Sequence, residues 1–466
     1  MVTSLIDLHE AVKRLHPSQR PTRRKGGMPR PANLAYSSPT MKRHRRRHRL
    51  FQPVLRPAPG RKLPPELRIG RVERLAERLP QGIEDPGFEL LLRRIDGAPF
   101  FGGNEVEVYF NGRAAFSAMR DAVRAARQEI LLESYIFKDD STGRLFLAEI
   151  QAAADRGVKV RVLADAVGSY ETKAEFWQEM ESHGIEFYLF HPLFKSMWYQ
   201  PFRDHRKILV VDREMAFTGG MNIGEEYGSW RRRPKPGETW RDTHVRVKGP
   251  AAWEMAVVFS EGWTHAGGAV IEIDPLPGEA VEAPGVRVLV LDSRPKRGQA
   301  ESAAVMAAIA AAARRSLWIT NAYFAPGRRA IELLGEAAAR GVDVRLLLPG
   351  KSDVPIARRA GHGHFGALLE RGVRIFEYQP AILHAKTLVA DGLVSVVGST
   401  NLDFRSFLFN AECDLLMMDV PTAALMEKAF LTDLETSREI RLADWRRRPW
   451  TEKLGDRAAR WLSPLL

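Results

Sequence analysis

A single cysteine, Cys413, stands in 466 residues, so no disulfide can close within the chain, and a lone thiol suits a reducing compartment. Beside Glu412 in an apolar run it reads as core packing. Long hydrophobic runs are also missing. Nowhere does the chain hold the 18 or so consecutive apolar residues that a bilayer-spanning helix needs, so neither a membrane span nor a secretory signal is expected. Metal-ligand clusters are lacking too: His362 and His364 form an H-x-H, but no third and fourth ligand follows at zinc spacing. No metal and no other cofactor is expected.

Acidic residues are scarce at one end. Residues 1–78 hold 20 Lys or Arg against 5 Asp or Glu in a chain whose net charge is +13, so the arm is cationic and the body near neutral. Within it, Lys42-Arg43-His44-Arg45-Arg46-Arg47-His48-Arg49 is flanked by Pro29, Pro31, Pro39, Pro53, Pro57 and Pro59 with few aromatics, a composition that reads as disordered. Such an arm suits an anionic lipid surface, where each basic group contributes roughly 1 kcal/mol. Nucleic acid is the rival partner, because counterion release serves either polyanion. Asp7, Glu10 and the absence of an early amphipathic arginine helix argue against an organelle transit peptide.

What the sequence does hold is one pattern written twice. His205-Arg206-Lys207-Ile208-Leu209-Val210-Val211-Asp212 returns as His384-Ala385-Lys386-Thr387-Leu388-Val389-Ala390-Asp391, an H-x-K-x4-D in each case. A turn follows each aspartate, and a second apolar run leads to Gly219-Gly220-Met221-Asn222 or Gly398-Ser399-Thr400-Asn401. One copy alone is a weak signal; two in matching contexts are specific. Upstream, Tyr135 and Tyr323 close matching apolar strands, and Gly157 and Gly341 end matching helices, so the chain is an internal duplication of an α/β unit.

The chemistry follows from parity. On a strand, His205 and Lys207 leave the same face, as do His384 and Lys386, so each half offers an imidazole and an ammonium to one space. Asp212 and Asp391 have the opposite parity and fall at turns, where a purely conformational role competes with direct chemistry. A site that attacks phosphorus and protonates the departing oxygen needs a base and an acid on opposite sides, and two facing strands supply one histidine each. Two lysines with Asn222 and Asn401 converge on the non-bridging oxygens, which stabilises charge without a metal. Asp242 and Glu412, each downstream of its own motif, are the candidate orienters of the imidazoles.

At these residues the chain resembles the phospholipase D superfamily and, within it, the bacterial cardiolipin synthases. The resemblance rests on Arg203 to Lys207, Phe217 to Gly224, Trp240 to Gly249, Asn321 to Phe324, Gly398 to Asp403 with Arg405-Ser406, and the closing Trp461 to Leu466. It runs from about residue 105 to the C-terminus. It implies that one motif histidine carries a phosphatidyl-histidine intermediate while the other acts as general acid and then base, without saying which is which; His205 is taken here as the nucleophile. It further implies that Asp242 and Glu412 orient His205 and His384, and that Lys207, Lys386, Asn222, Asn401 and Ser399 hold the phosphate. Many members begin with two transmembrane helices; this chain looks like the branch without them.

The expected fold is therefore α/β, two similar halves with mixed sheets flanked by helices, sharing one pseudo-twofold site. The expected divisions are a basic arm over 1–104, halves over 105–265 and 286–440, a Gly/Pro/Ala-rich connector over 266–285, and an amphipathic tail over 441–466. The expected activity is phosphatidyl transfer between two phosphatidylglycerol molecules, giving cardiolipin and glycerol, with phospholipid hydrolysis or a metal-independent nuclease as alternatives. Membrane contact is expected to be peripheral, at the cytoplasmic face of a bacterial cell membrane. Leu193 to Phe202, aromatic and basic, reads either as an interfacial loop or as buried aromatics, and the tail, with Leu454, Ala458, Trp461 and Leu465 at helical spacing, either as a membrane-surface helix or as one docked on the body.

Overall fold

Short β-branched and aliphatic runs build a central sheet whose two faces can be read residue by residue. The computed structural model describes residues 65–191, 202–228, 237–276, 283–294 and 301–461. The run 42–49, nearly all of the aromatic segment 193–202, and residues 462–466 fall outside them.

In the first half the strands are β1 (Phe101–Tyr109), β2 (Glu129–Ser134), β3 (Lys159–Asp165), β4 (Glu186–Phe190), β5 (Lys207–Val211), β6 (Met215–Gly219) and β7 (His244–Lys248). Their spatial order is β1-β7-β6-β5-β2-β3-β4. The second half contributes β8 (Val286–Ser293), β9 (Ser316–Asn321), the short β10 (Phe324–Ala325), β11 (Asp343–Pro349), β12 (Arg374–Tyr378), β13 (Lys386–Ala390), β14 (Val394–Gly398), the short β15 (Leu402–Asp403) and β16 (Glu412–Met418). Its main strands run β8-β16-β14-β13-β9-β11-β12, the same order, and β17 (Ser437–Ile440) adds an edge. The β2–β3–β4 and β9–β11–β12 pairings are parallel and the ladders inward of them antiparallel. Antiparallel pairing of β1 with β8 joins the halves into one 15-stranded sheet.

Period-two alternation decides what each strand touches. Leu209 and Val211 enter a core with Phe116, Phe146 and Trp177 of the first half, whereas Ile208 and Val210 face a central core that also contains Val389, Val397, Leu415 and Met417. The same split holds on β13, where Leu388 and Ala390 join the second-half core and Val389 the central one. That central core fixes the two halves face to face.

Helices cover the outer faces: α3 (Gly112–Ala125) and α4 (Ser141–Asp155) in the first half, α7 (Glu301–Ala312) and α8 (Arg328–Ala339) in the second. The basic arm ends earlier than the composition suggests. From Pro65 the chain forms α1 (Pro65–Glu77) and α2 (Pro86–Asp96), and Val72, Ala76, Phe88, Leu92 and Ile95 pack into the second-half core. Asp85 caps α2 by accepting from Gly87 N at 2.8 Å, and Gly97 closes it at φ 88°. The charge average over 1–78 hides Val72 and Ala76 among the arginines, while α2 lies beyond that average, inside the span of 1–104 assigned to the arm.

The C-terminal segment is docked. α13 (Trp450–Trp461) lies on α9 (Pro355–Leu369): Ala459 packs against Ala360 and Ala325, and Asp456 bonds Arg448 at 2.8 Å beside His362. Trp450 and Leu454 stay exposed. His362 itself bonds Glu377 at 3.1 Å, a fold contact.

Asp212 and Asp391 belong to the fold and not to the chemistry. Both adopt positive φ, 52° and 51°, which aspartate tolerates in a turn. The Asp212 carboxylate accepts the N–H groups of Arg127, Gln128 and Glu129, and that of Asp391 those of Arg314, Arg315 and Ser316, all at 2.8–2.9 Å. Each staples the turn after its motif strand to the start of the neighbouring one. Seven residues of extended chain place them roughly 23 Å from the motif histidines, so their inclusion among catalytic residues is corrected.

Candidate active site

Both motifs enter the site at the start of a strand, and each is held there by the other half. His205 N donates to Ala411 O at 2.9 Å, and His384 N donates to Arg241 O at 2.8 Å. The next residue in each partner segment is the carboxylate. The exchange is completed by Ala411 N to Arg203 O and Arg241 N to Ile382 O, at 2.8 and 2.9 Å.

This register crosses the orienters. His205 Nδ1 lies 2.9 Å from Glu412 Oε2, and His384 Nδ1 lies 2.8 Å from Asp242 Oδ2. Pairing each carboxylate with the histidine of its own half is thereby corrected, and neither half alone holds an oriented imidazole. Gly220 makes room for the shorter carboxylate: a Cβ there would meet Asp242 Oδ1 at 2.1 Å. Ser399 occupies the matching place opposite the longer Glu412, and its hydroxyl accepts from Cys413 N at 3.0 Å. That pins β14 to β16 and leaves Cys413 buried in the core.

The remaining polar residues repeat with differences. Lys207 Nζ donates to His205 O at 2.7 Å, while Lys386 Nζ donates to His384 O and sits 2.9 and 3.1 Å from that ring's nitrogens. The ammonium groups lie 5.3 and 5.9 Å from the ring centres of Tyr135 and Tyr323, which also meet the imidazoles edge-on. Asn222 accepts from Ile136 N at 3.2 Å and donates to Tyr227 Oη at 2.9 Å. Asn401 Oδ1 is buried without a hydrogen-bond partner. Five residues beyond each asparagine stands a residue to which the sequence reading gave no role. Tyr227 Oη approaches His384 Nδ1 at 3.4 Å, and Ser406 Oγ donates to Glu412 Oε1 at 2.7 Å. Their shared offset from the asparagines was the available signal, masked by unlike side chains.

Electrostatically the site is short of negative charge. Burial, then Lys207, Lys386 and His384, push His205 well down; burial and Lys386 lower His384 against the pull of Asp242. Burial brings Lys207 to about 7 and Lys386 to about 8. Two lysines and two imidazoles whose protonation burial opposes form a receptor for an anion, which would favour the charged lysines and one imidazolium. The two carboxylates differ. Burial acts to raise Asp242, but the hydrogen bond and charge of His384 outweigh it and keep the carboxyl below its ordinary value. Burial instead lifts Glu412 to about 7, against Lys207 and the hydroxyls of Ser399 and Ser406.

A pH profile of kcat/KM follows with its sign. As pH rises through about 7 and about 8, Lys207 and then Lys386 lose the protons that attract the substrate anion, so kcat/KM falls. As pH drops through about 7, Glu412 takes up a proton and His205 loses its anionic partner. The expected profile is a narrow bell near neutrality, and a plateau extending well above the lysine range would contradict it.

The matches to known proteins fall on this duplicated site. The family described as "Cardiolipin synthase, PLD-like domain" matches residues 119–232 and 305–434, one block per half. Cardiolipin synthase 1 of Bacillus anthracis is 31% identical over 416 residues, covering 87% of this chain and 81% of that protein. Cardiolipin synthase A of Pseudomonas putida is 36% identical over 373 residues, covering 79% and 76%. Among solved structures, phosphatidylserine synthase from Haemophilus influenzae Rd KW20 superposes with a TM-score of 0.65 at 14% identity, over 85% of this chain and all of that one, a likeness of fold. With the matched family spanning both motif strands and relatives aligned along most of their own length, the chain belongs to the cardiolipin synthase family of the phospholipase D superfamily.

Proposed function

We propose that this protein is a phosphatidyltransferase that joins two phosphatidylglycerol molecules into cardiolipin and releases glycerol. The observation that carries it is the pair of crossed histidine–carboxylate contacts, which supply one base and one acid to a single anion-receiving cleft. Nδ1–H of His205 donates to Glu412, which leaves Nε2 as the basic nitrogen for attack on phosphorus. Asp242, held anionic, and the bound phosphate together support a protonated His384 against burial and Lys386, and this imidazolium gives its proton to the departing glycerol oxygen. The P–O bond to glycerol breaks as the P–N bond to His205 forms. His384, now neutral, takes the proton from the hydroxyl of the second phosphatidylglycerol, whose oxygen attacks phosphorus and frees His205. Lys207 and Lys386, with Asn222 and Asn401 beside them, neutralise the non-bridging oxygens.

Membrane contact in this reading is peripheral, at the cytoplasmic face. Among the described residues no helix is long and apolar enough to cross a membrane, and the basic arm supplies charge for an anionic lipid surface.

The test is product analysis. Purified protein incubated with phosphatidylglycerol vesicles in chelator is expected to yield cardiolipin and glycerol in equal amounts. Phosphatidic acid as the sole lipid product would make water the acceptor, and no lipid turnover alongside cleavage of DNA would overturn the lipid reading.

A further inference from the structure

The second half contains an apolar cavity of about 620 Å³ that shares a wall with the active site, within the roughly 300–1,000 Å³ range of ligand pockets. It lies between the outer face of β9, β13 and β14 and helices α7 and α8. Met306, Ala307, Ala310, Leu334, Leu388 and Val396 supply much of its surface. Lys386, whose ammonium touches His384, is part of the same wall, because Lys386 and Leu388 leave β13 on one face.

Polar groups that border the cavity are mostly engaged with one another. Thr400 Oγ1 donates to Asp414 Oδ2 at 2.6 Å and Asn321 Oδ1 accepts from Leu402 N at 2.9 Å, so neither demands a polar ligand. Where the wall meets solvent stand Leu408, 44% exposed, and the Arg328 side chain, 93% exposed. The matching place in the first half is built from larger side chains. There Phe116 and Phe146 meet edge-on at 5.4 Å and fill the space between α3, α4 and the sheet. The alanine-rich sequence of α7, Glu301-Ser302-Ala303-Ala304-Val305-Met306-Ala307-Ala308-Ile309-Ala310-Ala311-Ala312, is what leaves it open in the second. The two halves thus repeat the same chemistry but pack this place differently, with aromatic rings in the first and alanines in the second.

We propose that this cavity is an acyl-chain subsite, holding one fatty-acyl chain of the phospholipid whose phosphate is bound between His205 and His384. The assignment rests on the phosphatidyl-transfer reading above. An occupant reaching from Lys386 into an aliphatic chamber must carry an anion at one end and a flexible apolar chain at the other, which a phospholipid does and a nucleotide does not. Arg328 and Leu408 at the rim match the interface between headgroup and acyl region. The chain's burial both anchors the donor and sets the depth at which its phosphate rests.

Two measurements test it together. Ala310→Phe and the milder Ala307→Leu fill the chamber without touching the catalytic residues, and their turnover of dioleoyl- and dihexanoyl-phosphatidylglycerol is compared with wild type. The proposal expects kcat/KM on the long-chain lipid to fall roughly tenfold or more, through lost chain burial, with the short-chain lipid affected far less. In parallel, wild-type protein is irradiated with phosphatidylglycerol bearing a diazirine along one acyl chain, and labelled peptides are mapped. Adducts within 303–334, 386–396 or 402–408 support the subsite. Equal losses on both lipids, unchanged rates on both, or adducts confined to other segments overturn it. The mapping needs binding and not turnover, so it also decides the matter if a variant fails to fold. Wild type that carries label on the chamber wall yet makes no cardiolipin would instead defeat the transfer reading and keep the subsite.

Discussion

His205→Ala is expected to abolish phosphatidyl transfer, and His384→Ala to do so on the natural lipid, each by roughly 10⁴-fold or more in kcat. The two losses differ in kind. If His205 is the nucleophile and His384 the acid, a donor with a good leaving group such as p-nitrophenol needs no proton from His384. On that donor His384→Ala should still release a first equivalent of p-nitrophenol, and His205→Ala should release none. Full activity of both variants on phosphatidylglycerol would defeat the shared-site mechanism, and the reversed pattern on the activated donor would exchange the two roles. Attack is assigned to His205 because Asp242, the more strongly anionic carboxylate, faces His384 and favours its protonated state.

The second large effect concerns the carboxylates. Asp242→Asn is expected to reproduce the His384→Ala behaviour, and Glu412→Gln that of His205→Ala, each with a kcat loss between about 10² and 10⁴-fold. Sequence proximity suggests the opposite pairing. The crossed prediction follows from backbone register: the carbonyl accepting each histidine N–H belongs to the residue just before the other half's carboxylate. On the activated donor, Asp242→Asn should keep its first turnover as His384→Ala does, while Glu412→Gln should not. A Glu412→Gln protein that retained the burst while Asp242→Asn lost it would break the crossed assignment. Amide substitutions keep side-chain volume, so an unchanged melting temperature separates loss of chemistry from loss of fold in both.

Much of this was legible because strand chemistry is local. The parity that puts His205 with Lys207, and Leu209 apart from Ile208, is a property of eight residues and needs no tertiary knowledge. The doubled α/β unit could be read for the same reason: matching helices, strands and turns recur with only short insertions. Inter-half features were not legible. Which carboxylate reaches which imidazole depends on a register between segments 207 and 142 residues apart, and Asp242 and Glu412 look equivalent within their own halves. Asp212 and Asp391 were ambiguous because an aspartate after a strand serves a turn or a site equally well, and only their N–H partners decide it. The helices at 65–96 were missed since a cationic average over 1–78 overrode the apolar spacing of Val72 and Ala76, and the arm was extended past Phe88, Leu92 and Ile95. The chamber beneath Lys386 had no motif at all. It arises from alanines in α7 that read, by themselves, as ordinary core.

The central claim is that one histidine from each half works on one phosphorus atom, with His205 forming the covalent bond. Its most direct test is to mix the protein with a molar equivalent of activated phosphatidyl donor, quench in base within the first turnover, digest, and locate the modified residue by mass spectrometry. A phosphorylated adduct on His205, retained in His384→Ala and absent from His205→Ala, is the predicted result. An adduct on His384, or transfer without any histidine adduct, would contradict the account.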